Sequence, residues 1–386
     1  MIYASAELAL RRSRVAPWVS TLPLLAFCVS VLLVWSIAPL VGHWDVPADN
    51  LEQLNWALTP DLGYTKHPPF PTWVLLAFQQ VLPNGLWLTY ALGASCVAVG
   101  MWVAFRLTSE LQGRRAAVVA VLLMSVLTYY TQRLHFYNHN TAMLVAHACA
   151  TFFVWRALVR GGAVWWWLLG IAWGAGMLSK YQMVLSIACS VVYLALATRH
   201  GPWAAERRDV LRGVAIAAIV ALAVVSPHLV WLVQNDFPTF AYASHSMGAD
   251  LPLAARPRDL GAFFGNQVGR TLPAIALGAL LLAFDRRPRA RLDQLADDAA
   301  PPLREQAAAA RLLLPIHALG PFVLMALLSA FAGMDLQMHW GTAFLWLLVP
   351  TALATSWGRR VTQVRLSWLY AGVILTHALT LAIHAR

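Results

Sequence analysis

Charge is the scarcest property of this sequence. Of its 386 residues, 12% are charged and 60% are hydrophobic, which is about half the charged share of a soluble domain. So few polar side chains cannot cover a folded surface in water, and a soluble globular protein is excluded. Lysine is nearly missing: 26 of the 28 cationic residues are arginine, so Lys66 and Lys180 stand out as unusual choices. No Asp-x-Asp occurs, which fits the lack of a metal-held nucleotide diphosphate. Cysteine is rare, and Cys28, Cys96, Cys149 and Cys189 each fall alone inside an apolar run without CxxC spacing. They read as core filler rather than disulfides or metal ligands. No internal repeat of about 20 to 50 residues is present. The single low-complexity stretch, Ala-rich and charged, runs over 293–311.

What the sequence does contain is apolar runs. A membrane span needs about 20 such residues. Eleven segments qualify, near 17–41, 86–107, 116–132, 141–159, 163–179, 181–198, 213–233, 271–284, 312–332, 341–357 and 367–384. The expected fold class is an all-α polytopic membrane protein, one transmembrane domain over 1–386 with no separate soluble domain. The first run is too long for a signal-peptide core and lacks a convincing cleavage site, so it reads as an uncleaved first span. With Arg11, Arg12 and Arg14 on the cytoplasmic side, inner segments carry 21 cations and outer segments seven. That positive-inside bias sets a cytoplasmic N-terminus and an outer C-terminus. The net charge of +11 is therefore topological and calls for no nucleic acid.

Two outer segments are long enough to build a site, 43–85 and 234–270, while the largest cytoplasmic loop covers 285–311. In the first, Leu51, Leu54 and Leu58 form one helical stripe, and Asp49, Glu52, Gln53 and Trp56 form another. This predicts an interfacial amphipathic helix with its carboxylates in water. A second short helix is expected to start at Pro68, Pro69 and Pro71, since proline suits a first helical turn.

The run from Asp49 to Trp56, followed by Gly63-Tyr64-Thr65-Lys66-His67-Pro68-Pro69-Phe70-Pro71-Thr72-Trp73, resembles the first outer loop of bacterial family 39/83-like glycosyltransferases. These belong to the GT-C class and are related to protein O-mannosyltransferases and lipid A aminoarabinose transferases. Asp49 precedes His67 by 18 residues, the spacing of that pattern, with Asn50 where a second acid is usual. The resemblance continues in His135-Phe136-Tyr137-Asn138-His139-Asn140, where relatives carry an acid, and in Gly174 to Tyr181, ending Ser-Lys-Tyr. It extends to Ser226-Pro227-His228-Leu229-Val230-Trp231, to Phe264-Gly265-Asn266-Gln267 and to His339-Trp340.

The resemblance implies a GT-C fold and an inverting transfer of a sugar from a polyprenyl-phosphate donor to a lipid, glycan or protein acceptor. The reaction would face the periplasm, on the bacterial inner membrane. Chemistry points the same way, because nucleotide sugars are absent outside the cell and an activated donor has to arrive on a lipid. An attacking hydroxyl needs a base, and a leaving phosphate needs a cation. Asp49 is the candidate base, with Glu52 as a second catalytic carboxylate on the same helix. Lys66 is the candidate phosphate ligand, assisted by Lys180 or Arg270. His67, Tyr64, Asn138, His139, Asn140 and His339 complete the expected substrate site.

Plainer roles stand beside these: Asp49 as a helix cap, Lys66 on lipid headgroups, the histidines as hydrogen-bonded structural groups. His139, His245 and His339 with Glu52 or Asp49 are types that bind Zn²⁺, but no HExxH-like spacing supports it, so the metal is unknown and no cofactor is firmly implied. Two other function classes remain, a transporter or flippase of lipid-linked sugars, and a degenerate, non-catalytic member. A transporter would carry ionisable residues in mid-span, whereas these acids cluster in outer loops.

Overall fold

The computed structural model describes residues 22–199, 203–247, 251–285, 287 and 307–384, with the side chains of 245–247 and 307–310 left aside. Most of 285–311, the first residues of the 17–41 span and the side chain of His245 therefore lie outside the described residues. The elements are α1 (Leu22–Val41), α2 (Ala48–Trp56), α3 (Phe70–Gln79), α4 (Leu86–Gln112), α5 (Arg114–Ser125), α6 (His139–Arg160), α7 (Ala163–Met177) and α8 (Met183–Arg199). They continue as α9 (Arg207–Gln234), α10 (Pro238–Met247), α11 (Arg256–Phe284), α12 (Ala307–Ala332), α13 (Leu348–Leu353), α14 (Ser356–Gln363) and α15 (Leu366–His384). Among the described residues there is no strand.

Among the described residues, seven helices are long and apolar enough to cross a bilayer: α1, α4, α6, α9, α11, the 311–332 part of α12, and α15. They correspond to seven of the eleven expected spans, and the chain is a multi-pass membrane protein. In the other four segments no single helix reaches that length. At 15 and 17 residues, α7 and α8 reach about 22 and 25 Å, short of a hydrocarbon core of about 30 Å. The segment 116–132 is a helix of 12 residues followed by a 3₁₀ turn at Thr128–Tyr130, and Ala116 to Ser125 are all buried against protein. The segment 341–357 breaks into 3₁₀ turns and the six residues of α13. Phe344, Leu345, Trp346 and Leu347 are fully buried there, and Gln112 Nε2 donates to the Pro350 carbonyl at 2.8 Å. Irregular backbone is tolerated at membrane depth only when protein satisfies it in this way. The expected span at 271–284 is the second half of α11, which begins at Arg256.

Helix α6 is the enclosed centre of the bundle, buried along most of its length. Helices α1 and α15 lie outside with mostly exposed apolar side chains, as lipid contact requires. Helix α7 packs closely on α9 because Gly170 and Gly174 lack side chains. A Cβ at Gly170 would stand 2.5 Å from the Ala217 carbonyl oxygen, and one at Gly174 2.6 Å from Val224 Cβ. This small-xxx-small spacing lets backbones touch.

The first loop folds as the expected pair α2 and α3, the latter entered through Pro69 with Pro71 in its first turn. The orientation of α2 differs from the expected one. Asn50 and Gln53 are fully buried, while Leu51 and Leu58 are 51% and 72% exposed. The polar face turns inward because the bundle supplies partners for it. Thr72 Oγ1 donates to Gln53 Oε1 at 2.8 Å. Asn50 Nδ2 donates to Thr89 Oγ1 at 2.9 Å and to the His135 carbonyl at 3.0 Å, and its Oδ1 accepts from the Tyr137 amide at 3.1 Å. Asn50 therefore pins α2 onto α4 and the loop before α6.

An acid at position 50, usual in the resembled family, conflicts with this latch, because a carboxylate would face two acceptors. Asn50→Asp is expected to destabilise the protein by about 3 kcal/mol. Thermal unfolding in detergent reads this as a lower midpoint, and an unchanged midpoint would contradict the latch.

Candidate active site

The site forms where the loops at one end of the bundle meet, around a cavity of about 500 Å³. Each charged group in its wall is placed by a local feature of the chain. Asn138 is the N-cap of α6: its Oδ1 accepts from the Asn140 and Thr141 amides at 2.9 and 3.0 Å, and Thr141 Oγ1 accepts from the Asn138 amide at 2.9 Å. With its oxygen committed to the helix, Asn138 turns its Nδ2 to Asp49 Oδ2, 2.8 Å away. Asp49, half-buried in the first turn of α2, is thus oriented by an amide instead of by water alone. It caps no helix by its side chain.

Lys180 stands in the turn between the short helices α7 and α8. Its Nζ donates to Asn140 Oδ1 at 2.8 Å and lies 5.6 Å from the Trp340 ring centroid. It is enclosed by protein although it faces the cavity, and burial pulls it down to about 7 against the opposing pull of Asp49. Lys66 is different. Burial opposes its charge, but the hydrogen bonds and charge of Glu52, at 3.1 and 3.2 Å, outweigh that and hold it above the usual lysine value. Glu52 itself is raised, burial outweighing Lys66.

Three histidines line the cavity. His67 and His139 stack with ring centroids 3.9 Å apart. His67 is pushed down to about 2 by burial and by Lys180, Lys66 and His339. His339 is pushed down to about 3 by burial and by Lys180, Arg133, Arg270 and Lys66. Both lowered values favour the neutral imidazole at physiological pH. His139 is buried, and its Nε2 has no hydrogen-bond partner. Among the described residues no three His, Cys, Asp or Glu side chains are grouped as a metal site. The four cysteines are free.

Of the expected site residues, Asp49, Lys66, His67, Asn138, His139, Asn140, Lys180 and His339 all line this one cavity. Glu52 and Tyr64 do not. They line a shallower depression on the other side of Lys66, with Trp56, Asp61 and Trp231. Tyr64 stacks on Trp56 at 4.8 Å, and its hydroxyl donates to the Trp56 carbonyl. Arg270 stands behind the wall on the Tyr129 ring, at 4.6 Å, rather than in it. Arg133, Tyr242 and Gln337 line the cavity and were not singled out by sequence. Arg133 was visible only as one of the seven outer cations. Apolar side chains line the cavity too, including Val184, Leu185, Met325 and Leu328, of which Val184 and Leu328 are exposed.

Residues 66–231 match the dolichyl-phosphate-mannose-protein mannosyltransferase family. The chain is 31% identical over 247 residues to the lipopolysaccharide core galacturonosyltransferase RgtA of Rhizobium johnstonii, covering 61% of this chain and 43% of that protein. It is 28% identical over 258 residues to the lipid A galacturonosyltransferase RgtD of the same organism, covering 64% and 51%. The chain thus spans about half the length of these curated relatives. Among solved structures it resembles ArnT from Cupriavidus metallidurans bound to undecaprenyl phosphate, with a TM-score of 0.62 at 16% identity over 93% of this chain and 63% of that one. The apo form of the same protein gives 0.56 at 19% identity, over 88% and 62%. The chain has the GT-C fold of membrane glycosyltransferases, and from Lys66 to Trp231 it carries the sequence pattern of the dolichyl-phosphate-mannose-protein mannosyltransferase family.

Proposed function

We propose that this protein is an inverting membrane glycosyltransferase that takes a sugar from a polyprenyl-phosphate donor and passes it to a hydroxyl of a lipid or glycan acceptor. The reaction runs on the outer face of the bacterial inner membrane. The observation that carries this reading is the cavity itself, which an oriented carboxylate and two lysines line together with apolar side chains. A phosphate carried on a hydrocarbon chain suits that combination, because its head needs cations while its tail needs lipid. The relatives support the same class: two are named for transfer to lipopolysaccharide core and lipid A, and the ArnT structure was solved with undecaprenyl phosphate. The charge distribution along the chain supports the outer face.

Asp49 takes the proton from the acceptor hydroxyl as its oxygen bonds to the anomeric carbon. The bond from that carbon to the phosphate oxygen breaks, and its electron pair leaves with the polyprenyl phosphate. Lys180 and Lys66 stabilise the charge that develops there. Direct displacement assisted by one base inverts the anomeric centre. Asn138 positions the base, and the neutral imidazoles of His67 and His339 offer hydrogen bonds without adding charge.

Asp49→Asn is expected to retain folding and membrane insertion while lowering transfer by about 10²-fold or more. Initial rates of sugar transfer from polyprenyl-phosphate donors measure this, and near wild-type turnover would reject Asp49 as the base. Lys180 supplies a pH test. It carries its charge below about pH 7, so kcat/KM should fall as pH rises through that value. At saturating donor the bound phosphate favours the ammonium, and the fall in kcat should move to higher pH. In Lys180→Met the limb near 7 should vanish along with most of the activity. A flat kcat/KM profile between about pH 6 and 9 would exclude Lys180 from donor binding.

A further inference from the structure

Beyond Lys66 lies a second depression, of about 500 Å³, that the transfer chemistry leaves unused. Helix α2 joins it to the cavity. Asp49, Glu52 and Trp56 share one stripe of that helix, Asp49 lining the cavity while Glu52 and Trp56 line the depression. Lys66 lines both, and its Nζ donates to the two Glu52 oxygens across a pair that keeps 33% and 25% side-chain exposure. A phosphate that enters the cavity competes with Glu52 for that ammonium. Among the described residues Lys66 is the one cation lining the depression, which also carries the exposed Asp61. With Lys66 turned to a phosphate, two carboxylates are left there with no cation of their own. Two of the donors are already committed: the Tyr64 hydroxyl donates to the Trp56 carbonyl at 3.2 Å, and Asn235 Nδ2 to the Trp231 carbonyl at 2.8 Å. The oxygens of Glu52, Asp61 and Asn235 can only accept.

We propose that this depression seats an uncharged sugar ring of the acceptor, held by Glu52, and that Glu52 is free for that ring only once the donor phosphate draws Lys66 away. The inference rests on the glycosyl-transfer reading above and adds the acceptor's seat and an order of binding, donor before acceptor. Oxygens that only accept call for a ligand that donates, and ring hydroxyls donate without charge. A carboxylate or phosphate on the ring would instead face Glu52 and Asp61. Trp56 and Trp231 supply apolar surface for the C–H groups of the ring. Residues three apart on a helix have Cβ atoms about 5–6 Å apart. A ring with one hydroxyl on Glu52 therefore presents a neighbouring hydroxyl toward Asp49, the candidate base. Before the donor arrives, Lys66 occupies Glu52, and no acceptor hydroxyl is brought to the base with nothing to attack.

The test uses the full-length protein in lipid nanodiscs and titrates soluble probes, the methyl glycosides of glucose, galactose and mannose and those of glucuronic and galacturonic acid. Binding is read by saturation-transfer NMR with and without saturating undecaprenyl phosphate. A neutral glycoside is expected to bind about 10-fold tighter or more when the phosphate is present, and the acidic glycosides to gain nothing from it. Glu52→Ala should weaken the neutral glycoside by about 10- to 100-fold, the scale of hydrogen bonds to a charged group, and should tighten undecaprenyl phosphate, because Lys66 loses its competing carboxylate. That second change is one a merely structural role for Glu52 would not produce, and it shows the variant to be folded. If Glu52→Ala does not fold, Asp61→Asn should relieve the discrimination against the acidic glycosides. Neutral-glycoside affinity that is the same with and without the phosphate, or the same in Glu52→Ala, overturns the inference and leaves glycosyl transfer standing. So does the absence of binding by every neutral glycoside. A wild type that fails to bind undecaprenyl phosphate would instead count against the proposed function.

Discussion

The side chain of Asn138 closes the first turn of α6 with its oxygen and holds the Asp49 carboxylate with its nitrogen. An amide has two different ends, and this one is fully committed at one of them, so the direction of the other is set by the helix. Asp49 sits on a separate short helix that would otherwise be free to roll. Two buried polar contacts prevent it, Asn50 against the loop before α6 and Gln53 against Thr72. The position of the candidate base therefore depends on hydrogen bonds sealed inside protein, where water cannot compete for them.

The same seal explains the electrostatics. Burial holds His67 and His339 neutral and lowers Lys180, while Lys66 stays charged because Glu52 stands beside it from the neighbouring depression. Two lysines of one cavity thus differ in character: Lys66 is a permanent charge, and Lys180 is a group whose charge depends on what is bound. Lys66 also separates the two depressions, so anything that displaces Glu52 from it alters both.

Hydropathy made the membrane class and seven spans legible, and the first-loop motif located Asp49, Lys66 and His67. What was not legible has identifiable reasons. Apolar content does not distinguish lipid from protein as a neighbour, so hydropathy did not show that 116–132 and 341–357 pack inside the bundle. Helical periodicity gave α2 two faces without saying which turns inward, and the polar face did because Thr72, Thr89 and the loop before α6 offered it partners. Arg133 belongs to no motif of the sequence, and its place over the Tyr129 and Phe136 rings is set by tertiary structure. Glu52 and Tyr64 were grouped with the cavity because they neighbour Lys66, which faces both ways.

The shortness of α7 and α8 bears on the lipid around them. Val164, Trp167 and Ile171 on one helix and Val184, Val191 and Val192 on the other are exposed on the outside of the bundle. Their apolar belt falls several ångströms short of an ordinary hydrocarbon core of about 30 Å. A bilayer meeting such a belt thins, and its phosphate plane sinks toward the turn between the two helices. Lys180 stands at that turn. Hydrophobic mismatch would bring lipid phosphates down to the level of the lysine, and membrane thickness would set the work of loading a lipid-borne donor.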